Sequence, residues 1–117
     1  MNENRPLSGV KVVELATFVA GPAATRFMAD QGADAIKVEA LAGDGTRWAA
    51  EGEARPVFPD DPQHNLTFEI ENGNKKSVSL DLKDPECFQI FMDLLAEADV
   101  FVTNWRPKAV SYTHLTL

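Results

Sequence analysis

Residues 10–39 read VKVVELATFVAGPAATRFMADQGADAIKVE, and this stretch decides the fold. Val10–Leu15 is short and rich in β-branched residues, which predicts a buried strand. Thr17–Gly21 is a turn region, and the proline after it suits the first turn of a helix, where its missing N–H costs nothing. Small and apolar residues then recur at helical spacing until Gly32, a natural C-terminal stop. Ala35–Glu39 predicts a second strand, so the stretch is a βαβ unit with a parallel strand pair and a right-handed crossover.

The next part of the chain predicts a loop, a short helix and a third strand. Gly43–Pro62 is rich in Gly, Pro and charge, and a loop of this length is usually functional or mobile. Leu66–Ile70 predicts a short helix, and Asn72-Gly73-Asn74 predicts a turn. Ser77–Asp81 alternates polar and apolar residues, which predicts a strand.

A second helix and a fourth strand complete the pattern. Asp84 is a predicted N-cap and Pro85 the first helical residue. An apolar stripe at helical spacing follows, formed by Phe88, Phe91, Leu94, Leu95 and Ala98. Asp99–Thr103 predicts the strand. The order β-α-β-loop-β-α-β predicts an α/β fold that is Rossmann-like, with a mostly parallel sheet and flanking helices, truncated after four strands.

Composition narrows the function classes. Eleven Lys and Arg against 18 Asp and Glu give the 117-residue chain a formal net charge of −7, which disfavours binding to nucleic acid or to an anionic membrane. A single cysteine, Cys87, and an N-terminus without an apolar signal segment predict a cytoplasmic protein. His64 and His114 have no ligand partners at metal-site spacing, so we expect no metal site. We also expect no permanently bound cofactor.

Two candidate sites lie in turns that follow the first two strands. Thr17–Pro22 joins a strand to a helix, which is where doubly wound folds bind ligands and where helix N–H groups are open to an anion. An ordinary tight turn is the alternative, and the dinucleotide fingerprint G-x-G-x-x-G is absent. Gly43–Arg47 is either an anion-binding nest or a solvated surface turn, and its spacing favours the solvated turn.

Two further candidates contain cations. Asn72–Lys76 places two ammonium groups beside a turn, which suits phosphate or simply a solvated surface. Thr103–Lys108 includes Asn104, Trp105 and Arg106, which are able to hydrogen-bond a heterocycle, stack on it and clamp a phosphate. The alternative is a Trp that closes the sheet edge, beside an Arg in a surface ion pair.

Taken in order, these segments resemble the N-terminal part of the class III CoA-transferase family (the CaiB/BaiF family), over roughly Pro6 to Ala109. The resemblance is carried by LSGVKVVEL at residues 7–15, AGPA at 20–23, GADAIKVE at 32–39, GDGTR at 43–47, NKKS at 74–77 and LAEADV at 95–100. Asn104-Trp105-Arg106 looks like the subgroup acting on 2-hydroxy acids, which includes phenyllactate and 2-hydroxyisocaproate CoA-transferases of amino-acid fermentation.

The resemblance implies a set of coenzyme A contacts. Phe18, Val19 and Ala20 correspond to the family turn that lies against coenzyme A. Lys75 or Lys76 corresponds to a basic residue near its phosphates, and the pair Asn104-Trp105 to the lining of the adenine and pantetheine path. A family arginine after the second strand is replaced here by Ala40.

The resemblance also implies a reaction and a domain plan. Family members are about three to four times longer, within the range where chains form several domains, and they form interlocked homodimers. Their catalytic aspartate attacks the acyl-CoA thioester, and none of the acidic residues here corresponds to it. We expect residues 1–110 to be the CoA-binding part and residues 111–117 to be foreign to the family sequence. An acyl-CoA racemase of the same family and a non-catalytic nucleotide-binding module are the alternatives.

Overall fold

The computed structural model describes residues 4–47 and 66–106. The predicted α/β fold is confirmed, in the following elements: β1 Lys11–Leu15, α1 Ala20–Asp30, β2 Asp34–Glu39, a 3-10 turn Gly45–Arg47, α2 Leu66–Asn72, β3 Lys76–Ser79, α3 Pro85–Glu97 and β4 Val100–Thr103. Most of the predicted long loop, both histidines and the tail predicted to be foreign lie outside the described residues. Among the described residues, no helix is long and apolar enough to cross a membrane.

The four strands form one parallel sheet in the order β3-β2-β1-β4. In the register, Val12 of β1 lies beside Ala35 of β2 on one side and Val100 of β4 on the other. Parallel strands need long crossovers, and the helices supply them. The chain steps from β1 to β2 to β3 in one direction and then returns past β1 to form β4, so the strand order reverses at β1.

Each face of the sheet is covered by a different helix, because successive side chains of a strand point to opposite faces. The α3 face has a buried apolar core that contains Val13, Leu15, Val38, Leu80 and Phe91. The α1 face is apolar only in its amino half, which contains Val12, Ala29, Ala33 and Ala35. In its carboxyl half the same face contains buried charged residues, which places a polar layer directly under the carboxyl ends of the strands.

The helix ends follow the predicted signals. The Asp84 side chain accepts a hydrogen bond from the Cys87 N–H at 3.1 Å, and Pro85 is the first helical residue of α3, as predicted. Gly32 has a φ of 103°, a conformation open to glycine at little cost, and α1 ends just before it. Strand β3 begins at Lys76 and ends at Ser79, two residues before the predicted end.

Candidate functional site

The reversal of strand order at β1 creates a crevice at the carboxyl edge of the sheet. Helix α1 leaves β1 toward one face and α3 approaches β4 from the other, so the loops after β1 and β4 diverge. Open α/β sheets bind their ligands in such a crevice. Two of the four predicted segments lie there: Thr17–Pro22, and residues 103–106 of the segment after β4. They meet at the position where a ligand is expected.

The turn after β1 presents its backbone to this crevice. Phe18 has a left-handed φ of 64° and a 54% exposed side chain, and Val19 is 56% exposed. Val19 is the N-cap of α1, and no side chain caps that helix end. A Cβ at Gly21 would lie 2.5 Å from the Ala16 Cβ, so only glycine allows the first turn of α1 to approach the end of β1 this closely. The turn thus offers exposed apolar side chains and an uncapped helix start.

Asn104 joins the loop after β4 to this turn. Its side-chain oxygen accepts the Thr17 N–H at 3.1 Å, and its side-chain NH₂ donates to the Thr17 carbonyl at 2.6 Å. The amide therefore satisfies both backbone polar groups of Thr17, as a neighbouring strand would. Trp105 is half-buried and packs against the apolar cluster under α3, and Arg106 is exposed. The structure brings Asn104 to the predicted turn and leaves Arg106 in solvent beside it.

The two predicted phosphate-binding lysines lie in different environments. The Lys75 ammonium is buried and donates to the Glu14 Oε1 at 2.6 Å, the Pro22 carbonyl at 2.8 Å and the Asn72 Oδ1 at 2.8 Å. Burial lowers the pKa of Lys75, and the hydrogen bond to Glu14 opposes that shift. Lys76 begins β3 at the amino edge of the sheet, the edge opposite the crevice. A phosphate contact by either lysine stays a prediction.

A buried ion-pair chain, which the sequence does not predict, lies under the turn. Lys37 donates to the Glu14 Oε2 at 2.5 Å and lies 2.8 Å from the Asp44 Oδ2, and Glu14 continues to Lys75. The ion-pair chain therefore runs Asp44, Lys37, Glu14, Lys75, with alternating charge and side chains at most 1% exposed. The sequence contains one sign of this ion-pair chain, which is a charged residue in each of two strands predicted to be buried. These residues are Glu14 and Lys37, and the register places them side by side.

The Gly43–Arg47 segment is an ordered part of this site and not a solvated turn. Asp44 is 1% exposed, and its Oδ1 accepts hydrogen bonds from the Phe18 N–H at 3.2 Å and the Thr46 N–H and Oγ1 at 2.9 Å. Burial raises the pKa of Asp44, but the Lys37 and Thr46 hydrogen bonds outweigh it and the pKa is lowered. The segment therefore places a carboxylate directly beneath the turn.

A second charged pair supports the same segment from β2. Arg47 donates to both carboxylate oxygens of Glu39 at 2.8 Å, and Ser77 also donates to Glu39. Burial raises the pKa of Glu39, but the bonds from Arg47 and Ser77 outweigh it and lower the pKa to about 2. The Arg47 guanidinium also lies 3.8 Å from the centre of the Phe68 ring, a cation–π contact that joins the segment to α2.

Comparison with known proteins supplies the family. The model of CoA-transferase family III matches residues 7–116. The chain is 49% identical to cinnamoyl-CoA:phenyllactate CoA-transferase of Clostridium sporogenes, over 93% of this chain and 26% of that protein. It is 46% identical to (R)-2-hydroxy-4-methylpentanoate CoA-transferase of Clostridioides difficile, over 89% of this chain and 25% of the relative.

A solved structure agrees with the sequence relatives. The crystal structure of a CAIB/BAIF family protein from Brucella suis superposes with a TM-score of 0.84 and 35% identity, over 98% of this chain and 30% of that one. The chain thus spans about a quarter of the length of the curated relatives it matches. On the family model, the relatives and the fold together, this chain belongs to CoA-transferase family III.

Proposed function

We propose that this chain forms the coenzyme A-binding part of an enzyme that moves CoA between an acyl-CoA and a carboxylic acid. The observation that carries the proposal is the crevice at the strand reversal, where Asn104 holds the exposed turn Thr17–Ala20. An uncapped helix start and exposed apolar side chains suit a ligand that combines a phosphorylated nucleotide with a pantetheine arm.

Different residues of the chain contact different parts of the ligand. Phe18, Val19 and Ala20 contact the ligand along the turn, and Asn104 with Trp105 lines the adenine and pantetheine path. Arg106 is the exposed cation beside the crevice, and a guanidinium is suited to a phosphate. Lys75 acts from beneath by holding the Pro22 carbonyl at 2.8 Å. The position of Lys76 at the far edge gives a phosphate contact there no support.

The chemistry proceeds through an aspartate carboxylate that the family correspondence places outside this chain. Its oxygen attacks the thioester carbonyl, the C–S bond breaks, and a mixed anhydride and CoA thiolate form. The thiolate attacks the aspartyl carbonyl of that anhydride, which releases the first acid and leaves an aspartyl-CoA thioester. The acceptor carboxylate and CoA repeat these two steps in reverse order, and the aspartate is regenerated. The chain therefore contributes binding and orientation of CoA.

The acceptor proposed here is a 2-hydroxy acid such as phenyllactate. The support is the similarity to two transferases whose names specify phenyllactate and 2-hydroxy-4-methylpentanoate. The same names favour transfer over racemisation. Incubating the full-length protein with an α-chiral acyl-CoA in deuterated water separates the two reactions, because a racemase incorporates deuterium without an acceptor acid and a transferase does not.

Two further properties belong to the same proposal. The family resemblance supports an interlocked homodimer of the full-length protein, which light scattering after size exclusion tests. The single cysteine of this chain, Cys87, supports a cytoplasmic location.

Calorimetric titration of the 117-residue chain with CoA tests the binding proposal. We expect binding, and about tenfold weaker binding by Asn104→Ala, because two hydrogen bonds to the turn are lost. Gln89→Ala removes an exposed amide on α3 and serves as the matched control. A folded chain that does not bind CoA would overturn the proposal. The chain alone should not exchange CoA between cinnamoyl-CoA and phenyllactate, and detection of exchange would contradict the assignment of the nucleophile elsewhere.

A further inference from the structure

We propose that Asp44 is a positioning residue, which holds the turn Thr17–Val19 in its ligand-binding conformation by accepting the Phe18 N–H, and that the ion-pair chain fixes Asp44 for this task. The inference rests on the proposed function in taking CoA as the ligand of the turn. It adds to that function the group that sets the shape of the turn.

The ion-pair chain and Asp44 hold the backbone at three points around the turn. Lys37 donates to the Ala16 carbonyl at 3.0 Å, just before the turn. Asp44 accepts the Phe18 N–H at 3.2 Å, within the turn, and Lys75 donates to the Pro22 carbonyl at 2.8 Å, just after it. Members of one buried network therefore hold the turn at both ends and at its centre.

The conformation of Phe18 explains why such a restraint is needed. A φ of 64° is disfavoured for a residue with a side chain, and it persists where the surroundings impose it. The loop that carries Asp44 also contacts the Phe18 ring, since a Cβ at Gly45 would lie 2.8 Å from its Cζ. One short segment thus restrains both the backbone and the ring of the residue that faces the crevice.

The charge pattern keeps Asp44 in place. Asp44 is bound to Lys37, Lys37 to Glu14, and Glu14 to Lys75, so two carboxylates and two ammonium groups balance. A buried chain of this kind tolerates little displacement, because moving one member leaves a neighbouring charge unpaired in a low dielectric. Asp44 is therefore held in place by the sheet, and it restrains the turn through the Phe18 N–H.

Two substitutions at one position separate positioning from simple stabilisation. Asp44→Ala and Asp44→Asn both remove the ion pair with Lys37, but only Asn keeps an acceptor oxygen for the Phe18 N–H. Asp93→Asn removes the same charge from an exposed position on α3 and is the matched control. The experiment measures CoA affinity by calorimetry and hydrogen exchange of the Phe18 amide by NMR, for the chain and each variant.

We expect Asp44→Ala to raise the Kd for CoA by about 5- to 30-fold, because a released turn populates the left-handed conformation only in part. Asp44→Asn should recover most of that loss, and Asp93→Asn should bind like the parent chain. The Phe18 amide should exchange faster in Asp44→Ala than in Asp44→Asn. Equal CoA affinity for the two Asp44 variants would overturn the inference.

The same experiment also decides if the Asp44 variants do not fold or if the parent chain does not bind CoA. If both Asp44 variants fail to fold, the parent chain decides, because a Phe18 amide that donates to Asp44 exchanges slowly. A protected Phe18 amide supports the inference, and exchange at the rate of an unstructured chain overturns it. If the parent chain does not bind CoA, the proposed function fails, and the Phe18 amide still tests the positioning role. Equal exchange rates in the two Asp44 variants would then overturn that role.

Discussion

Replacing Lys37 with Met removes the central cation of the ion-pair chain while keeping the apolar stem of the side chain. The substitution deletes the 2.5 Å contact with Glu14 and the 2.8 Å contact with Asp44, and Asp44 loses its ion-pair partner in the interior. Breaking a buried pair costs about 3–5 kcal/mol, a large part of the about 5–15 kcal/mol that stabilises a domain. With a urea m-value of about 1.5 kcal/mol/M, the unfolding midpoint should fall by about 2–3 M.

Lys76→Met is the matched control for this substitution. Lys76 also faces a carboxylate on the neighbouring strand, at 3.4 Å from the Asp34 Oδ1, but its side chain is 74% exposed. An exposed pair contributes at most about 1 kcal/mol, so the midpoint should change little. Urea unfolding followed by circular dichroism measures both variants. Equal losses for Lys37→Met and Lys76→Met would refute the claim that burial of the chain determines the cost.

A double variant tests the alternation of charge directly. In the parent chain, Asp44→Asn should lower the free energy of unfolding, because it removes the partner of Lys37. In the Lys37→Met background the same substitution should raise the free energy of unfolding, because it removes the unpaired Asp44 carboxylate. Glu14 and Lys75 remain there as a neutral pair. A change of sign between the two backgrounds is the expected result. Additive destabilisation would contradict the arrangement of alternating charges.

Three further predictions concern parts of the fold outside the ion-pair chain. The pKa of Glu39 is lowered from 4.5 to about 2, so its stabilising contribution is complete above pH 4.5 and is lost as the pH falls toward 2. Acid unfolding should therefore be less steep in Glu39→Gln, and identical acid profiles would count against the pair of Glu39 with Arg47. Phe91→Ala should cost about 3–5 kcal/mol in urea unfolding, whereas Phe27→Ala, at a 74% exposed position, should cost far less; similar losses would contradict the assigned core. Asp84→Ala should cost about 1 kcal/mol through loss of the cap on the Cys87 N–H, and an unchanged midpoint would argue against that cap.

The sequence predicted the elements of this fold because each carries a strong local signal. Val10–Leu15 is too short and β-branched for a helix, and Asp84-Pro85 marks the start of α3 to the residue. The order β3-β2-β1-β4 was not predictable in the same way, because strand neighbours are determined by long-range pairing and not by local pattern. The crevice itself was predicted only as a general property of doubly wound sheets.

The site was predicted in part. The turn at Phe18 and the segment at Asn104 were identified, since both follow strands that end at the same edge of a parallel sheet. The sequence predicts Lys75 as a phosphate-binding cation, or as part of a solvated surface, because it neighbours a turn and a second lysine. The flexible four-carbon side chain of Lys75 reaches inward instead. Its ammonium group contacts the buried carboxylate of Glu14, which lies two strands away. Local sequence does not contain that contact, so the ion-pair chain became visible only in three dimensions.

The central claim, that the crevice at the strand reversal binds coenzyme A, is tested most directly by titrating the ¹⁵N-labelled chain with CoA. We expect saturable shifts in the amide resonances of Thr17–Ala20 and Asn104–Trp105, with little change along α3. Shifts confined to residues outside these two loops, or no shifts at saturating CoA in a folded chain, would contradict it.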